Sequence, residues 1–117
     1  MASGAERTVS SAFVFCSFRL TIYVQHHTAR CRIGSIDISI KKAFTARAFD
    51  ITTKDLATQS QPGRQFFGIH ASNDGRVMIF AGGVPLKRDG KVVGAVGVSG
   101  GSGEQDHAVA MAGAEAF

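Results

Sequence analysis

A chain of 117 residues, 44% apolar and 19% charged, has room for one hydrophobic core and is short for a two-domain enzyme. Its formal net charge of +4 is unevenly placed: residues 1–64 hold nine Lys and Arg against four acids, and residues 65–117 hold four against five. Arg30, Arg32, Lys41, Lys42 and Arg47 are the nearest approach to a basic patch, and with no reading motif beside them they do not make a nucleic-acid interface.

In chain order, residues 12–24 (AFVFCSFRLTIYV) are apolar but too few to span a bilayer, and Arg19 interrupts them. No small-residue cleavage site follows, so the chain reads as cytoplasmic, with no membrane segment. Phe18, Leu20, Ile22 and Val24 alternate with polar neighbours, which predicts a half-buried strand over Phe18–Val24, with residues 1–10 loose before it. Ser35 stands where a helix cap belongs and Asp37 in the first turn; Ile36, Ile40, Ala43, Phe44 and Ala48 predict an apolar stripe through Phe49. Thr53–Thr58 adds a helical turn, and Gln59–Arg64, with Pro62-Gly63, is a loop. Short strands are expected at Phe66–His70 and Arg76–Ala81, separated by the Asn73-Asp74-Gly75 turn. Asp89-Gly90 signals a hairpin into a strand over Lys91–Val98. Ser102 and Gln105 form a capping box for an alanine-rich helix from Gly103 toward the terminus. The order predicts one α+β domain over residues 1–117, with helices packed on an antiparallel sheet.

Several motifs invite chemistry that their context refuses. Gly97-Val98-Ser99-Gly100-Gly101 satisfies G-x-S-x-G between a strand and a helix, as a nucleophile elbow does. The one downstream histidine, His107, lies just inside the next helix, and the chain is far too short for a hydrolase of that fold. The pattern reads instead as a glycine bend. No Lys-Ser or Lys-Thr pair follows it to cradle a phosphate, and Glu104 and Asp106 would repel one. His26 and His27 would point to opposite faces of a strand. Cys16 and Cys31 fit neither a redox Cys-x-x-Cys nor a zinc knuckle and read as free thiols.

One ordered set of segments carries more. Ile33-Gly34-Ser35-Ile36-Asp37-Ile38, Lys42-Ala43-Phe44-Thr45-Ala46, Gln61-Pro62-Gly63, Gly68-Ile69, Gly82-Gly83-Val84-Pro85-Leu86, Gly94-Ala95-Val96-Gly97-Val98-Ser99-Gly100 and Gln105-Asp106 together resemble the GlcG/HbpS family of small haem-associated proteins. That family includes the C-terminal domain of the PduO-type cobalamin adenosyltransferases. The resemblance runs from about Ile33 to Phe117, and residues 1–32 depart from the pattern. It implies a layered, profilin-like α+β domain that associates with itself and takes haem as cofactor. It also implies a pocket between the Lys42–Thr45 helix and the Gly82–Pro85 loop, with Thr45 as a contact of the haem iron. In that pocket Gly82 and Gly83 would admit a flat ligand beside Pro85, and Phe44 and Phe80 would supply apolar walls. Lys41, Lys42 or Arg47 would pair with propionates.

Three functions follow as expectations. The first is a self-associating tetrapyrrole-binding domain. The second is an enzyme on the same fold, degrading haem or serving a cobalamin or glycolate pathway. The third is a structural self-assembling module whose glycines serve only turns and packing.

Overall fold

In the computed structural model the described residues are 32–117 and, as backbone, the strand β1 (Val14–Ser17). The strand expected at Phe18–Val24 lies outside them. The remaining elements are α1 (Ile33–Phe49), α2 (Thr53–Gln59), β2 (Gly83–Arg88), β3 (Lys91–Gly97) and α3 (Gly103–Ala116). All strand pairs are antiparallel, in the order β1-β3-β2.

Local chemistry explains most of the boundaries. The β2–β3 hairpin closes on Asp89 and Gly90, both at positive φ (53° and 75°), the geometry that matches the twist of the flanking strands. Pro85 has no N–H to give a ladder and is tolerated because β2 is at the sheet edge. Thr52 caps α2 by accepting the Asp55 N–H at 3.1 Å. Ser102 and Gln105 cap α3 reciprocally, at 2.9 and 3.2 Å.

The two sheet faces are built from different residues. Gly83, Pro85, Ala95 and Gly97 share one face by register, and α1 lies directly on it. A Cβ added at Gly97 would collide with the Ser39 carbonyl and stand 2.6 Å from the Ala43 nitrogen; at Gly83 it would meet the Lys42 carbonyl at 2.5 Å. Val84, Leu86 and Val96 point the other way and form the apolar core with Val98 and with Ala110 of α3. The result is a helix–sheet–helix sandwich, with each fully buried Val or Leu contributing about 1.5–3 kcal/mol.

Three sequence expectations are corrected. Helix α1 starts at Ile33, with Arg32 at the N-cap position and no side-chain cap, so Ser35 is inside it and Asp37 lies beyond the first turn, paired with Lys41 at 2.8 Å. Its buried face is Ser39, Lys42, Ala43, Thr45 and Ala46; of the expected stripe only Ala43 is buried, while Ile36, Ile40, Phe44 and Ala48 are not. The helix lies so close to the glycine-lined sheet that, apart from Lys42 reaching past Gly82, only small side chains fit between them. Phe66–His70 and Arg76–Ala81 are not strands: the first is a series of turns and a short 3-10 helix, Ile69–Ala71. In the second, the Met78 N–H goes to the Thr45 hydroxyl at 2.9 Å instead of to a neighbouring strand.

The close approach of α1 makes a sharp expectation. Gly97→Ala should cost about 1–3 kcal/mol, as overpacking does. Gly113→Ala, in α3 with nothing within 4 Å of its Cβ position, should gain about 0.5–1 kcal/mol. Urea melts of the two variants read both; a neutral Gly97→Ala would refute the close packing.

Candidate functional site

Lys42 is the largest fully buried side chain in the described protein, at 0% exposure. Its ammonium leaves α1, passes the backbone gap at Gly82 and ends on the other helix layer. There it donates to the Val98 carbonyl at 2.9 Å and to Asp106 Oδ2 at 3.0 Å, and it sits 4.6 Å from the centroid of the Phe80 ring. Asp106 belongs to the first turn of α3, where the helix dipole favours a carboxylate. Its Oδ1 accepts the Gly101 N–H at 2.9 Å. One ion pair therefore ties together α1, the end of β3, the glycine bend and α3.

Gly82 is what makes room for it. At φ 132° it already favours glycine, and an added Cβ would stand 2.7 Å from Lys42 Nζ and 2.5 Å from the Val98 carbonyl. Burial strips water from the ammonium and lowers the Lys42 pKa from its ordinary value, while the hydrogen bond and charge of Asp106 pull it back up.

The other expected site residues fall around this pair. Thr45 is fully buried. Its hydroxyl donates to the Lys41 carbonyl at 2.7 Å, with the Arg76 carbonyl at 3.3 Å, and accepts the Met78 N–H at 2.9 Å. Phe44 is half-buried, with the Arg76 guanidinium 4.3 Å from its ring centroid. The room beside Gly83 is taken by the α1 backbone and the Thr53 methyl, whose hydroxyl accepts the Gly83 N–H at 2.9 Å. Pro85 faces α1, half-buried. The helix and the loop that the resemblance sets on either side of a pocket are thus in direct contact. Of the three cations expected to meet propionates, Lys42 holds Asp106, Lys41 holds Asp37 and Arg47 holds Asp50, the last two at 2.8 Å on the surface. Such surface pairs are weak enough to exchange partners.

Two features escape the sequence reading. The partnership of Lys42 with Asp106 spans 64 positions and has no local signal. His107, just inside its helix, is half-buried, and among the described residues its buried Nδ1 has no partner. Desolvation lowers its pKa, and the nearby Lys54 lowers it further against a smaller opposing pull from Asp55. Ser99, the centre of the G-x-S-x-G pattern, is buried, and among the described residues no hydrogen bond joins it to His107.

The chain is thus a small α+β domain, a helix–sheet–helix sandwich locked by a buried lysine–aspartate pair beside a double glycine. A family model described as "Haem degrading protein HbpS-like" matches residues 3–115, and the chain belongs to that family. The match reaches well before Ile33, so residues 3–32, which the sequence motifs had set outside the resemblance, fall within the family model.

Among its relatives, the chain is 42% identical over 85 residues to an uncharacterised 15.0 kDa protein of the dhaT–dhaS intergenic region of Citrobacter freundii, covering 73% of this chain and 60% of that one. It is also 42% identical over 77 residues to the corrinoid adenosyltransferase PduO of Salmonella typhimurium, covering 66% of this chain and 23% of PduO. The match therefore spans less than two thirds of either relative's length. Among solved structures it is similar to a PduOC:heme complex, with a TM-score of 0.88 at 31% identity, covering 99% of this chain and 84% of that one.

Removing one half of the ion pair should show its weight. Lys42→Met leaves Asp106 buried and alone and should destabilise by about 3–5 kcal/mol. Lys42→Met combined with Asp106→Leu should recover most of that loss; chemical denaturation of the parent, the two single variants and the double variant closes the cycle, and additive losses would refute the coupling. A pH effect follows from His107. The unfolded chain binds its proton more readily than the folded one, so stability should fall as pH drops through and below the ordinary histidine range. Melting temperatures from pH 7 to 5 should fall less steeply in His107→Asn; identical slopes would refute it.

Proposed function

We propose that this chain is a haem-binding domain that associates with itself. The observation that carries the reading is its likeness to the PduOC:heme complex over nearly its whole length, at an identity that supports more than fold. The family description points to the same cofactor.

The residues present fit a planar apolar group with two carboxylates. Phe66, Phe67 and Phe80 are 46%, 60% and 44% exposed, apolar rings open to a planar ligand. Exposed cations, among them Arg64 and Lys87, supply charge for propionates. In this reading Lys42, Thr45, Gly82, Gly83 and Pro85 hold the scaffold together, and the macrocycle lies against exposed rings instead of entering the gap between α1 and Gly82. Self-association has physical support in the sheet: among the described strands β2 is at the edge, and unpaired edges recruit partners.

The family description names haem degradation and the PduO relative a corrinoid transferase, so the test must separate binding from turnover. Ferric hemin titrated into the full chain should give a shifted Soret band that saturates at one equivalent per chain. Ascorbate under oxygen should then leave the band in place. A band that decays catalytically would move the reading to an enzyme, and no shift at all would leave a structural module.

A further inference from the structure

The segment between α2 and Val77 holds side chains that the scaffold does not use. Residues 61–76 form consecutive turns closed by their own backbone. The Phe66 N–H donates to the Gln59 carbonyl at 2.9 Å, the Phe67 N–H to Arg64 at 3.2 Å, the Ile69 N–H to Phe66 at 3.0 Å and the Ala71 N–H to Gly68 at 3.0 Å. Gln65 Nε2 adds a bond to Gln59 Oε1 at 3.0 Å. Gly68 takes φ 97°, which a residue with a side chain rarely adopts. A loop this long and this well bonded is commonly functional.

On this rigid frame Phe66, Phe67 and His70 are all exposed. The rings of Phe67 and His70 stand 6.2 Å apart between centroids, inclined by 65°. Arg64, exposed on the same turns, makes no ion pair among the described residues. Two apolar rings, an imidazole and a guanidinium within seven positions are the recognition elements of a flat metal-bearing macrocycle with carboxylate arms.

We infer that this loop is the haem-contacting surface, with His70 as an axial ligand of the iron, Phe67 under the macrocycle and Arg64 on a propionate. The inference rests on the haem-binding reading above and deepens it. A macrocycle lying parallel to the Phe67 ring would meet the imidazole plane at the same steep 65°, an inclination compatible with axial ligation. His70 is exposed and makes no hydrogen bond among the described residues, so its imidazole is open to a metal ion. The loop's own hydrogen bonds fix the group beforehand, so little ordering accompanies binding.

The test uses ferric hemin with the full chain, read by absorption and electron paramagnetic resonance. The parent protein should give an imidazole-ligated spectrum. His70→Ala should lose that signature, and added imidazole should restore it. Phe67→Ser should weaken binding about three- to tenfold, the worth of an aromatic stack, with the ligand signature kept. Both positions are exposed, so neither variant should change the melting temperature. A His70→Ala protein with the parent's spectrum and affinity would overturn the loop assignment and leave the haem reading standing. A parent that binds no hemin would overturn both. If Phe67→Ser changed only the oligomeric state, the loop would be a contact between copies and the inference would fail.

Discussion

The fold is organised around one buried charge pair. Taking an ammonium and a carboxylate out of water costs several kcal/mol each before their attraction and hydrogen bonds offset it, so the surroundings of Lys42 and Asp106 are heavily constrained. Asp106 spends both oxygens, one on Lys42 and one on the Gly101 N–H. Lys42 spends its ammonium on Asp106, the Val98 carbonyl and the face of Phe80. Gly82 must be glycine because the ammonium and the Val98 carbonyl occupy the place of its side chain. For the lysine to reach that point, α1 must lie almost on the sheet, which fixes Gly83 and Gly97 and limits the face of α1 to Ser39, Ala43, Thr45 and Ala46 around Lys42. A chain of steric requirements thus runs from a single pair to both helices and two strands.

This explains which parts of the molecule were legible in its sequence. Structures set by neighbouring residues were read directly: the Ser102–Gln105 capping box, the Asp89-Gly90 hairpin, the short helix after Thr52. The buried face of α1 was not, because hydrophobic periodicity assumes that burial selects large apolar side chains. Against glycines it selects small ones, and Ile36, Ile40 and Phe44 are left half-exposed. Arg76–Ala81 has strand-forming residues, but a strand needs a partner at its edge; here the partner is the Thr45 hydroxyl on a helix. The site was half legible. Lys42, Thr45, Gly82 and Gly83 do meet, while Asp106, the residue that gives the cluster its meaning, reads locally as a helix-dipole acid.

The same constraint bears on where a ligand can sit. A glycine permits close approach by whatever arrives first, and sequence cannot say whether that is a ligand or another part of the chain. At Gly82 and Gly83 it is the chain: Lys42 on one side, Thr53 and the α1 backbone on the other. Thr45 likewise has its hydroxyl committed to three backbone groups. Interior polar groups satisfied this completely are stabilising because nothing else competes for them. In the proposed haem reading, recognition then falls to exposed side chains, which among the described residues include Arg64, Phe66, Phe67 and His70 on the turns between α2 and Val77.

A division of labour follows. Most of the segments that resemble the GlcG/HbpS pattern contain parts of the steric framework: Lys42 and Ala43, Gly82 and Gly83, Gly97 and Val98, Asp106. Their residue types are dictated by van der Waals radii and by the reach of one lysine, requirements that hold whatever the domain binds. Phe66, Phe67 and His70 are under no such requirement, since their exposure shows that the core does not need them. A motif set of this kind therefore specifies a scaffold, and ligand chemistry is decided by the exposed side chains displayed on it.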